Sequence, residues 1–170
     1  MVMLHSSRTG EWPRWLLLAG LIALFDQAVK LGVAVFMPLG TRLEIAPFFN
    51  LVHVRNPGAA FTFLAGAGGW QRYFFIALAF AASAWLIWRL RRNLPRLESV
   101  AYALILAGAL GNVADRMARG QVVDYLDFYW RAWHWPAFNL ADVAISFGAI
   151  CLLGATRTQS RCARSGVESS

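Results

Sequence analysis

Four apolar runs, each near the length of a bilayer crossing, leave this chain few ways to fold. The first, Trp15 to Met37, has 23 residues and ends against Pro38, inside the roughly 17 to 25 residues that a transmembrane helix needs. It is too long for the apolar core of a signal peptide, and no small-residue cleavage site precedes Pro38. The second run spans Trp70 to Trp88, the third Ser99 to Ala114 and the fourth Ala137 to Thr156. The third has only 16 residues, a length that suits a short crossing or a buried helix. Counting it as a crossing gives four spans and both termini on one side.

Composition agrees with a membrane protein. Hydrophobic residues make up 58% and charged residues 15%, with a mean hydropathy of +0.48, too apolar for an ordinary soluble domain. The net charge of +7 does not point to a nucleic acid, because the basic residues are spread between spans and form no contiguous patch for phosphate binding. Cys151 and Cys162 fall in the fourth span and the tail behind it, where neither a structural disulfide nor a metal site is expected. The chain reads as one domain over residues 1–156, followed by a polar tail, 157–170, expected to be disordered. It carries no repeats.

Between the first two spans the pattern changes. Leu43, Ile45, Leu51, Val52 and Val54 partly alternate with polar residues, as in strands, and Asn56-Pro57-Gly58 suits a tight turn. A small sheet lying on the bilayer is expected there. Orientation follows from arginines near the span ends. Nine of them (Arg8, Arg14, Arg89, Arg91, Arg92, Arg96, Arg157, Arg161 and Arg164) lie in the termini and middle loop, against six (Arg42, Arg55, Arg72, Arg116, Arg119 and Arg131) opposite. Trp12, Trp15, Trp85 and Trp88 would mark the cytoplasmic interface, and Trp70, Trp130, Trp133 and Trp135 the outer one.

That topology gathers the polar residues at the outer face. Asn112, Asp115 and Arg116 share a helical face by spacing, as do Asn139 and Asp142. Gly120 is a plausible end for the third helix, and the apolar segment after it carries Asp124 and Asp127 back toward the membrane. Asp124 can meet Asp142 there, and two carboxylates in contact share a proton near neutral pH. Such a pair activates water and polarises a carbonyl. Asp127 is an equal candidate on spacing alone. The plain alternative is that Asp142 caps its helix or pairs locally and Asp124 is a solvated loop residue.

Other groups carry weaker signals. Asp26 and Lys30, spaced i, i+4, suit a structural ion pair, although Lys30 could serve as base to Ser83 or Ser146. Neither serine has an elbow or oxyanion site nearby. His53 and His134 are isolated and read as surface or interface histidines. The small residues of AGALGN suit close helix packing. A pore is disfavoured because the polar residues stop at one face.

Four motifs in order resemble those of the bacterial lipoprotein signal peptidases, or signal peptidase II. They are DQAVK at Asp26 to Lys30, VRNPGAAFTFL at Val54 to Leu64, GNVADRMARGQVVDYLDFY at Gly111 to Tyr129, and FNLADVAISFG at Phe138 to Gly148. The resemblance implies a mostly helical membrane protein: four transmembrane helices, a small extracytoplasmic β-rich platform (Arg42 to Leu64) and a periplasmic flap (Tyr125 to Trp135). It implies an aspartic endopeptidase of the inner membrane that cuts prolipoproteins before a diacylglyceryl-modified cysteine. Asp124 and Asp142 would be catalytic and Asp127 supporting. Asn56, Asn112, Arg116 and Asn139 would line the site, while Asp26, Lys30 and Asp115 brace it, Asp115 with Arg116. No metal or other cofactor is implied; the partners are the lipidated substrate, membrane lipid and the inhibitor globomycin, with the enzyme a monomer. The competing reading is a non-enzymatic transporter or assembly factor whose acidic cluster binds a cation.

Overall fold

The computed structural model describes residues 10–58, 69–92 and 94–167, with side chains described as far as 157. Residues 59–64 of the second motif, and with them the end of the expected platform, lie outside the described residues.

Helix α1, Trp12–Phe36, starts with a proline in its first turn and ends before Pro38, which can neither donate nor continue the helix. Helix α2 covers Trp70–Leu90, α3 Arg96–Arg119 and α4 Leu140–Val167. All four are long and apolar enough to cross a membrane. Leu17, Leu24, Phe25 and Phe36 of α1 stay exposed, as do Phe147 and Leu153 of α4, so the outer surface of the bundle suits hydrocarbon instead of water. The chain is a multi-pass membrane protein.

Helix α3 sits at the centre and packs against the other three. Its small residues permit this. A Cβ on Gly111 would lie 2.5 Å from the Asp26 carboxylate and 3.2 Å from the Ala141 Cβ, so only glycine lets α1 and α4 close on α3 there. The helix is longer than its apolar core suggests, running through Asn112, Asp115, Arg116 and Arg119 to Gly120. At φ 79° Gly120 takes the left-handed position that ends a helix, and its N–H donates to the Arg116 carbonyl at 3.2 Å. The fourth helix likewise continues past Thr156 to Val167, where a disordered tail was expected.

The expected sheet is present with four antiparallel strands in chain order: β1 Arg42–Ala46, β2 Phe49–Asn56, β3 Val122–Trp130 and β4 Trp133–His134. The segment from Tyr125 to Trp135, expected as a separate flap, is the sheet's other half. Strand β3 pairs with β2, setting Asp124 opposite Val54 and Asp127 opposite Asn50, with a bulge between Leu51 and Val54. Off that ladder, the Val123 N–H donates to Asp115 Oδ2 at 3.3 Å, and the Tyr125 and Leu126 N–H groups donate to the Phe138 carbonyl at 3.0 and 2.9 Å.

The two tryptophan groups separate to opposite ends. Arg91 lies over Trp12 and Arg92 over Trp88 at one end, while Trp70 begins α2 at the other. Trp15 lies at the same end as Trp88 but faces inward: it is 9% exposed and packs with Leu86, Leu90 and Tyr102 in the core, because its position faces α2 and α3.

Candidate active site

The site is assembled around one fully buried ammonium. Lys30 Nζ contacts Asp26 Oδ2 at 2.8 Å, Asp115 Oδ2 at 2.9 Å and Asn112 Oδ1 at 3.0 Å. An ammonium has three protons, so each has a partner. Burying a lone charge costs several kcal/mol, and a pair repays that only when the remaining donors and acceptors are met. Here they are. Asp115 also pairs with Arg119, one helical turn on, and not with Arg116 as expected. Lys30 is thus neither snorkelled nor available as a base to a serine; Ser146 is exposed on α4.

Asn139 begins the fourth helix through a reciprocal cap. The Asp142 N–H donates to Asn139 Oδ1 at 3.1 Å, and the Asn139 N–H donates to Asp142 Oδ2 at 3.3 Å. This satisfies helix-end donors and fixes Asp142 in the first turn. Asn139 Nδ2 then donates to Asp124 Oδ1 at 2.6 Å and to Asn112 Oδ1 at 3.3 Å, while Asn112 Nδ2 donates to Asp142 Oδ1 at 2.8 Å. Asn139 therefore touches both carboxylates. Asn56 Nδ2 reaches Asp124 Oδ2 at 3.1 Å, and Asn56 Oδ1 accepts the Gly58 N–H at 2.8 Å. Arg116 donates to the Asn112 carbonyl at 3.3 Å and lies 5.0 Å over the Phe75 ring.

Asp124 is 2% exposed, and Asp142 is half-buried. Burial, then the negative charge of Asp142, push the Asp124 pKa up to about 6, against hydrogen bonds from Asn56 and Asn139 and the charge of Lys30. Burial also pushes the Tyr125 phenol up to about 12. It stays neutral, and its oxygen accepts the Leu140 N–H at 3.1 Å.

Asp127 stands apart. Its partners are Asn50 at 2.8 Å, His134 at 2.9 Å and Arg42 at 3.8 Å. An odd separation along a strand sends it and Asp124 to opposite faces. Burial raises its pKa, but the hydrogen bonds from Asn50 and His134 and the charges of His134 and Arg42 outweigh this and hold it below the usual carboxylate range. His134 is half-exposed, as expected of an interface residue. His53 is a correction: at 3% exposure it is interior, its Nδ1–H donating to the Met37 carbonyl at 2.8 Å, which ties β2 to the end of α1.

The structure thus brings Asp26, Lys30, Asn56, Asn112, Asp115, Arg116, Asp124, Asn139 and Asp142 together and leaves Asp127 outside. Gln27, Arg119, Tyr125 and Phe75 join them unanticipated. Gln27 Nε2 donates to the Gly111 carbonyl at 2.9 Å. The i, i+4 spacing of Asp115 and Arg119 was a readable signal; Phe75, an apolar residue in an apolar span, gave none.

Comparison with known proteins decides the family. Residues 18–157 match the family described as Signal peptidase (SPase) II. The chain belongs to the signal peptidase II family. It is accordingly a peptidase. Relatives include a lipoprotein signal peptidase of Aeromonas hydrophila, 57% identical over 143 residues, covering 82% of this chain and 86% of that one. One of Serratia marcescens is 52% identical over 139 residues, 82% of each chain. A solved structure described as a bacterial membrane enzyme superposes with a TM-score of 0.77 at 31% identity, covering 87% of this chain and 90% of its own. The family match takes in most of each helix and the whole sheet, and the whole polar cluster lies within the matched residues.

Proposed function

We propose that the chain removes signal peptides from prolipoproteins, hydrolysing the peptide bond before a diacylglyceryl-modified cysteine with Asp124 and Asp142 as the reacting pair. The observation that carries this reading is the asparagine bridge: Asn139 donates to Asp124 at 2.6 Å and through its own N–H to Asp142 at 3.3 Å. Two carboxylates from separate segments are held in one polar nest at the end of an apolar bundle.

Their environments divide the labour. Asp124, buried and pushed up to about 6, holds the shared proton. Asp142, half-buried and hydrogen-bonded by Asn112 and Asn139, is the base. It takes a proton from water as the water oxygen attacks the scissile carbonyl carbon, and Asp124 gives its proton to the carbonyl oxygen. Collapse of the tetrahedral intermediate breaks the C–N bond: the proton held by Asp142 passes to the leaving amine, and as the C=O bond reforms one hydroxyl of the intermediate returns its proton to Asp124. Asn56, Asn112, Asn139 and Arg116 border the pair and would hold the peptide backbone, Arg116 being fixed over Phe75. Globomycin would block turnover by occupying the pair.

The enzyme sits in the bacterial inner membrane with both termini cytoplasmic and the sheet at the periplasmic face, where water reaches the site. A substrate held by acyl chains and an apolar signal helix reaches the pair laterally through lipid. All site residues come from one chain, so a monomer suffices.

Asp124→Asn and Asp142→Asn each abolish processing of a diacylated prolipoprotein in detergent containing EDTA, by at least about 10³-fold, within the range expected for lost acid–base catalysis. Cleavage retained in both variants would sink the pair.

A further inference from the structure

Beyond neutralising charge, Lys30 determines which way Asn112 faces. An amide beside a carboxylate can present its NH₂ group, which binds, or its oxygen, which repels. Asn112 Oδ1 lies 3.0 Å from Lys30 Nζ and 3.3 Å from Asn139 Nδ2. A lysine ammonium only donates, so the oxygen end must face it. That leaves Asn112 Nδ2 for Asp142 Oδ1 at 2.8 Å.

The two other protons of Lys30 act on the chain segments themselves. Asp26, held by one, accepts the Ala141 N–H at 3.0 Å on Oδ1, and Ala141 immediately precedes Asp142. Asp115, held by the other, accepts the Val123 N–H at 3.3 Å on Oδ2, and Val123 immediately precedes Asp124. The backbone before each member of the pair is therefore pinned to a carboxylate that Lys30 holds.

We propose that Lys30 is a positioning residue for hydrolysis: it orients the Asn112 amide toward Asp142 and, through Asp26 and Asp115, sets the two segments that present Asp124 and Asp142 to each other. This rests on those two carboxylates being the reacting pair. The charged and titratable groups around the pair are Lys30 and Asp26 on α1, Asp115 and Arg116 on α3, and Tyr125 on β3.

The test uses Asp26→Asn/Lys30→Met, which removes one positive and one negative charge and leaves Asp115 with Arg119. In protein that still melts cooperatively, kcat falls at least about tenfold while KM stays within about threefold, since alignment acts on the chemical step. The alkaline limb of the pH–rate profile also moves to higher pH, because the Lys30 charge no longer opposes the Asp124 proton. Wild-type kcat, or a loss with the limb unmoved, would overturn the proposal. Asn112→Asp decides the matter if the double variant does not fold. It keeps an acceptor for Lys30 but removes the donor to Asp142, so kcat falls at least about tenfold; wild-type kcat there refutes the orienting role. Asp142→Asn runs in the same assay. Turnover retained by it would remove the reading of the pair, whereas turnover lost by it and kept by the Lys30 variants would remove this inference alone.

Discussion

At the scale of single residues, the two carboxylates of β3 are pushed to opposite sides of their ordinary range, Asp124 inside the site and Asp127 outside it. Asp127 is held down by its partners, whereas Asp124 is pushed from 3.8 up to about 6. Folding therefore favours the protonated form of Asp124 relative to the unfolded chain. Its contribution to stability is complete below about pH 4 and is lost as pH rises through about 6. An asparagine there has no proton to lose. The stability of Asp124→Asn relative to wild type therefore rises between about pH 4 and pH 8, by up to roughly 3 kcal/mol at 1.36 kcal/mol per pKa unit. Thermal melts in detergent at the two pH values check this, and a difference independent of pH would mean that Asp124 is not perturbed. The rate has the matching sign: with Asp124 as the acid, kcat/KM of wild type falls as pH rises above about 6. A rise through the same range would exchange the roles of the two carboxylates.

At the scale of elements, hydropathy located every span but not the ends of the helices. The apolar reading of the third span stops at Ala114, yet α3 continues to Arg119, because Asn112, Asp115 and Arg119 meet partners inside the protein and never face lipid. A scale that prices polar residues as exposed cannot register that. The pairing of β3 with β2 joins residues more than sixty positions apart in sequence, so the alternation of Leu51, Val52 and Val54 announced a strand without naming its neighbour. The spacing of Asn139 and Asp142 announced a shared helical face; in the structure Asn139 stands just before α4 and is joined to Asp142 by the reciprocal cap instead. Close helix approach was also legible, in AGALGN, and it makes the α1–α3–α4 contact sensitive to single atoms. Gly111→Ala would set a methyl 2.5 Å from the Asp26 carboxylate. The cost is about 1 to 3 kcal/mol from overpacking, and displacing Asp26 loosens the Ala141 N–H beside Asp142. The expected result is a lower melting temperature together with reduced processing; a normal melt with normal processing would mean that α1 yields without disturbing Asp26.

At the scale of the whole molecule, the polar cluster lies at one end of a bundle whose sides suit lipid, so chemistry depends on which end faces which compartment. The sheet shares its end of the bundle with Asp124, and the Arg91 and Arg92 end lies opposite, past the lengths of α2 and α3. Arginines near span ends favour the cytoplasmic side, so the proposed orientation puts the Arg91 and Arg92 end there, where Trp12 and Trp88 rings lie 5.7 and 4.8 Å from their guanidinium carbons. The hairpin of β3 and β4 carries exposed Trp130 and Trp133, which suit the opposite interface. Arg131→Cys, in a background with Cys151 and Cys162 replaced by serine, should therefore react with a membrane-impermeant maleimide in intact spheroplasts. Arg92→Cys should react only after the membrane is permeabilised. The reverse pattern would put the pair on the cytoplasmic side and overturn the proposed periplasmic orientation. Labelling at both positions before permeabilisation would mean that the spans do not hold one orientation, and the arginine bias of nine against six would then be too weak to set topology.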